Sequence, residues 1–161
     1  TALIDGNTGE SLTVAKQSWM EDPAWQPLRK FVEDSFVVKD WFELFVVQNV
    51  VLDGLMYPLI YGRFAGELSQ SGGAVVAMLT EFMDSWYTEN VRWVDAFMKT
   101  AGAESAENKA LLTTWSKDWT ARAIEALTPL SKLIYFEDGP AMLNEARELL
   151  QARLVKAGVA A

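Results

Sequence analysis

The 161-residue chain is long enough for one domain with its own core, and half of its residues are hydrophobic. Its net charge of −8 argues against nucleic acid and anionic membranes as partners, because phosphate binding needs clustered Lys and Arg. With no His and no Cys, the chain offers no imidazole base, His or Cys metal ligand, Ser-His-Asp triad, thiolate nucleophile or disulfide.

Residues 1–10 are polar and hold the turn formers Asp5, Gly6, Asn7 and Gly9, so a flexible lead-in without a signal peptide is expected there. "SLTVAKQSWME" then places Leu12, Ala15 and Trp19 at helical spacing. Asp22 is positioned to cap the next helix, with Pro23 at its first position. That helix carries Trp25, Leu28, Val32 and Phe36 on one stripe, and Pro27 falls in its first turn.

A long third helix is expected over residues 40–70. Asp40 and Glu43 form a capping box at its start. Pro58 cannot donate to the Gly54 carbonyl and predicts a kink. The run "LFVVQNVVL" is apolar nearly all round, which marks a central helix or one held between its own bundle and another subunit. Gln48 and Asn49 interrupt it, and it reads as too short to cross a bilayer.

"SGG" at 71–73 marks a turn. A helix over 74–99 follows, with Gly102 as its C-terminal cap. The next helix covers 107–136, and Pro129 predicts a second kink. The last, over 139–158, is amphipathic, with Leu143, Ala146, Leu150 and Leu154 on one face and Gly158 as its stop. No alternating strands, repeats or low-complexity tracts interrupt the pattern. The fold class is all-α: one helical domain over 1–161, built as a bundle of long helices joined by short links.

Acids recur inside these helices: Glu43, Asp53, Glu81, Asp84, Glu89, Asp95, Asp118 and Glu125. A di-iron or di-manganese bundle needs Glu bridges plus two Glu-x-x-His pairs, since residues i and i+3 share a face and reach the same ion. Glu89 and Arg92 keep that spacing, but Arg stands where His would be. The plain reading of this pair is a surface ion pair. Asp53 resists such a reading, because "VVL" and "GLM" flank it and a buried carboxylate needs a partner or a proton. A bundle-core charge network of Asp53, Glu89 and Arg92, free of metal, is therefore expected. An all-carboxylate magnesium or calcium site stays open, although no EF-hand loop is present. Trp41, Trp86, Tyr87 and Trp93 read as interface anchors, with a ligand-stacking box as the rarer alternative. No Ser or Thr has a base or a Gly-rich elbow beside it, so neither reads as a nucleophile.

"DPAWQPLRKFVED" and "DWFELFVVQNVVLDGLMYPLIY" resemble the β subunit of bacterial multicomponent monooxygenases of the phenol hydroxylase branch, and "TEFMDSWYTENVRWVDAF" resembles its next helix. The resemblance covers roughly residues 11–135 and the C-terminal half of that subunit. It implies a ferritin-like bundle of long antiparallel helices and a non-catalytic structural subunit with no catalytic, cofactor-binding or metal residues of its own. It further implies α and γ subunits in a dimer of heterotrimers, with a di-iron centre on α. A small effector protein and a reductase that draws electrons from NADH complete the implied set, acting on phenols in the cytoplasm, and the absence of Cys fits that compartment. By the same resemblance, Asp53 and Glu89 stand where α has Glu ligands, and Arg92 replaces a ligand His. The competing readings are a free-standing helical enzyme with a carboxylate metal site and a helical carrier of an apolar small molecule.

Overall fold

The computed structural model describes residues 8–64 and 74–160. Among the described residues there is no strand, and the chain folds as an all-α bundle. Helix α1 (Thr8–Glu21) starts inside the expected lead-in; residues 1–7 and the expected turn at 71–73 lie outside the described residues. Asp22 does not cap the second helix directly. Its carboxylate accepts from the Ala24 N–H at 2.8 Å, closing a turn over Asp22–Trp25. Helix α2 (Gln26–Ser35) therefore starts later than expected, and Pro27 rather than Pro23 occupies its first turn, where a missing N–H costs nothing.

Asp40 caps α3, accepting from the N–H groups of Phe42 and Glu43. Helix α3 covers 41–64 in four pieces: α-helical Trp41–Phe45, π-helical Val46–Leu52, α-helical Asp53–Met56 and π-helical Tyr57–Phe64. The Asp53 N–H donates to the Gln48 carbonyl, five residues back. The wider register from Tyr57 onward accommodates Pro58, whose ring a straight α-helix would press against the Gly54 carbonyl.

Over Trp41–Gly62 this helix is, by length and composition, long and apolar enough to cross a membrane, contrary to the estimate from its longest apolar run alone. Part of its surface lines the core of the bundle. Val46, Val47, Val50, Val51, Leu55 and Leu59 are all buried in the bundle.

Helix α4 (Ala74–Glu104) and helix α5 (Ala106–Tyr135) meet at Ser105, whose hydroxyl accepts from the Asn108 N–H. Gly102 is thus inside α4, not its cap. A Cβ there would stand 2.8 Å from Val159 Cγ1, so Gly102 is the point of close approach to the chain's end. Helix α5 is the hub, packing against α2, α3, α4 and helix α6 (Gly139–Ala157). It stays helical through Pro129, with the Thr128 hydroxyl donating to the Ile124 carbonyl at 2.7 Å.

A 3-10 turn, Phe136–Asp138, reverses the chain into α6, with Phe136 at φ 52°. Gly158 ends α6 at φ 75°, the Gly158 and Val159 N–H groups donating to the Val155 and Leu154 carbonyls. This pairing is a Schellman motif, and the buried Leu154 and Val159 complete it.

Candidate functional site

Three helices bring a polar cluster into an otherwise apolar seam. Asp53 lies in the short α-helical piece of α3, between the two π segments. Asp95 projects from α4 and Arg153 from α6. The Arg153 guanidinium donates to both Asp95 oxygens, at 2.8 to 3.3 Å, and to the Tyr87 hydroxyl at 3.0 Å. Its side chain is only 14% exposed and that of Asp95 33%. Tyr57 stacks on Tyr87 with ring centroids 4.7 Å apart, and Trp86 and Tyr61 extend the aromatic group.

Gly54 makes the approach of α6 possible. A Cβ at Gly54 would sit 3.0 Å from Leu150 Cδ1 and 3.2 Å from Arg153 Nη1. The electrostatics follow from burial. Desolvation raises the Asp53 carboxyl to about 6, and the positive charge of Arg153 offsets only part of that rise. Burial also raises the Tyr87 hydroxyl, against the opposing pull of Arg153.

The structure revises the expected network. Glu89 and Arg92 pair with each other at 2.9 Å on the outer face of α4, with side chains 69% and 71% exposed. They do not join Asp53. The cation facing Asp53 is Arg153, and its second carboxylate is Asp95. Arg153 had a signal in the sequence. It stands three residues after Leu150 and seven after Ala146, inside the apolar stripe of α6, where a cation needs an internal partner.

The expected anchors also divide. Tyr87 is built into the polar cluster. Trp41, Trp86 and Trp93 present exposed indoles, Trp41 the most. The Trp93 Nε1–H donates to Asn90 Oδ1, so the ring's polar edge is satisfied within the chain. Met78, Phe82, Trp86, Trp93 and Phe97 are all exposed and recur at helical spacing along one side of α4. Trp41, Phe42, Phe45 and Phe97 interlock into an aromatic layer at the start of α3.

This donor set does not fit iron. Among the described residues no group of three or more Asp or Glu converges as a metal site would require, and the Asp53–Asp95 region already holds a guanidinium. Arg153 supplies a fixed planar charge suited to carboxylate recognition, and Asp53 titrates near 6. Among the described residues the bundle thus combines an arginine-centred carboxylate cluster with an exposed apolar row on α4.

Comparison with known proteins gives the family. Residues 1–105 match the family described as Methane/Phenol/Alkene Hydroxylase, and the chain belongs to it. It is 52% identical over 157 residues to the phenol 2-monooxygenase oxygenase component DmpL of Pseudomonas sp. (strain CF600), an alignment covering 98% of this chain and 46% of the relative. It is 39% identical to the oxygenase component MhpL of Acinetobacter pittii, over 97% of this chain and 46% of that one. The β subunit of the toluene-4-monooxygenase hydroxylase of Ectopseudomonas mendocina shares 24% over 140 residues, 87% of this chain and 42% of that one. Phenol hydroxylase from Pseudomonas sp. OX1, solved as xenon-pressurised crystals, superposes with a TM-score of 0.90 at 48% identity, over 99% of this chain and 48% of that one. The chain thus spans about half the length of the relatives it matches.

Proposed function

We propose that this chain is the C-terminal half of a non-catalytic β subunit of a multicomponent phenol hydroxylase. The observation that carries the proposal is the pairing of a bundle seam filled by Arg153 with the exposed row Met78, Phe82, Trp86 and Trp93 on α4, which Phe97 continues into the aromatic layer of α3. That no group of three or more acids converges among the described residues supports this reading. The stripe needs a covering surface, since apolar area of this extent marks an interface. The 52% identity to an oxygenase component supports the same assignment.

On this reading the chain's work is structural. Trp41, Trp86 and Trp93, with Tyr87 held in the cluster behind Trp86 by its stack on Tyr57, anchor an obligate interface of about 2,000 Å² or more. The partners are an iron-bearing α subunit and a γ subunit in a dimer of heterotrimers. A small effector protein and an NADH-dependent reductase complete the oxygenase, which hydroxylates phenols in the cytoplasm.

Purification of the tagged chain from cells expressing the whole oxygenase tests the proposal. A larger chain carrying iron is expected to co-purify, with none on this chain. Stoichiometric iron or manganese retained by this chain alone would overturn it.

A further inference from the structure

A second feature lies away from the arginine cluster. Helices α5 and α6, with the residues after α6, line a groove of about 640 Å³, within the usual range of small-molecule sites. Ser116 and Thr120, one turn apart on α5, line it. Both hydroxyl oxygens are buried and have no hydrogen-bond partner among the described residues, and Ser116 as a whole is 1% exposed. An unpaired buried hydroxyl is costly, and native proteins rarely keep two side by side without something to bond them.

The walls state what that something is. Ile124, Leu154 and Val159 give apolar contact, enough for a hydrocarbon or aryl body. Lys117 stands on the α5 wall and Arg147 on the α6 wall, both exposed and neither in an ion pair among the described residues. The acid in the lining, Glu148, accepts from the Asn144 amide at 2.8 Å. In a chain of net charge −8, the lining of this groove carries two cations against one acid. Two free donors, two cations and an apolar wall match an acceptor-rich, negatively charged head on an apolar body.

We infer that the α5–α6 groove is a binding site for an amphiphilic organic carboxylate, its head held by the Ser116 and Thr120 hydroxyls and drawn in by Lys117 and Arg147. The site is independent of the proposed interface on α4.

Octanoate, octanol and octylamine, titrated calorimetrically into the chain together with whatever subunits co-purify, test this. Octanoate is expected to saturate a single site, with octylamine at least about tenfold weaker. The double variants Ser116→Ala/Thr120→Val and Lys117→Glu/Arg147→Glu are each expected to weaken octanoate about tenfold. Ser116→Ala is expected to leave the unliganded melting temperature unchanged or higher, because it removes an unsatisfied hydroxyl. A marked drop would mean that the hydroxyl is satisfied within the chain, and would count against the site. Equal binding of octylamine, no saturation in the millimolar range, or double variants that bind as well as the parent would overturn the proposal. Amides of the groove already protected from exchange in the complex, with no saturable octanoate binding, would also overturn it and assign the groove to a protein neighbour.

Discussion

Arg153 of α6 holds both carboxylate oxygens of Asp95 on α4, across 58 residues of sequence, while its third nitrogen bonds Tyr87. Arg92, by contrast, bonds Glu89 on its own helix in open solvent. The two arginines should therefore differ sharply. Arg153→Met is expected to destabilise the chain by about 2–3 kcal/mol, since it strands Asp95 and removes the cation near Asp53. Arg92→Ala is expected to change stability by less than about 0.5 kcal/mol. Denaturant melts of the two variants check this, and equal effects would contradict the geometry.

Asp53 gives a pH signature. Its carboxyl is raised to about 6, above the ordinary 3.8. A raised acid binds its proton more tightly in the folded state than in the unfolded one. Its contribution is most favourable below pH 4 and declines as pH rises through 6. After discounting for solvent screening the loss is on the order of 1–2 kcal/mol. Asp53→Asn is expected to flatten this part of the pH profile and to match or exceed the parent's stability at pH 7.5. Stability of the parent and the variant at pH 4.5, 6 and 7.5 measures it.

The long elements were legible because their cause is local. Helical spacing and the caps at Asp40 and Gly158 set the helices close to where they stand. The charge network was not, because partner choice is tertiary. Glu89 and Arg92 are neighbours by spacing, but α4 turns that face to solvent. Arg153 lay in the apolar stripe of α6, and only the crossing of α4 by α6 shows that Asp95 meets it. Gly102 misled for a related reason, since a helix-stop residue and a helix-packing residue look alike until Val159 is placed.

The glycines rank in order. At Gly139 a Cβ would meet the Ser131 carbonyl oxygen at 2.6 Å, a clash with backbone that cannot move aside cheaply. Gly139→Ala is expected to cost about 2–3 kcal/mol. At Gly102 the obstacle is the Val159 side chain, near the chain's end, so Gly102→Ala should cost about 1 kcal/mol. Thermal melts in which Gly102→Ala proved the more damaging would invert this ranking.

Trp119 ties the hub helix to α3. Its indole N–H donates to Glu43 at 2.8 Å, its ring meets Phe31 edge-on, and Arg122 lies 3.8 Å over its face while bonding Asp34 of α2. Trp119→Phe keeps an aromatic ring and loses the donor to Glu43. A loss of about 1–2 kcal/mol is expected, and Glu43→Gln in the same background should recover part of it by removing the unpaired charge. A double-mutant cycle with no coupling between the two positions would show that the bond contributes nothing.

The exposed row on α4 separates folding from assembly. Phe82 is 66% exposed, so Phe82→Ser removes little burial from the chain itself. If the row is an obligate contact, an aromatic anchor at its centre contributes about 2 kcal/mol or more to association, roughly 30-fold in affinity. Phe82→Ser is then expected to leave the chain's own melting within about 0.5 kcal/mol while sharply reducing recovery of the partner subunit on co-purification. Leu133 on α5 is also exposed, away from this row, and Leu133→Ser is the matched control that should assemble normally. Equal recovery for both variants would move the interface off α4, because each substitution removes an exposed apolar side chain and the two lie on different faces.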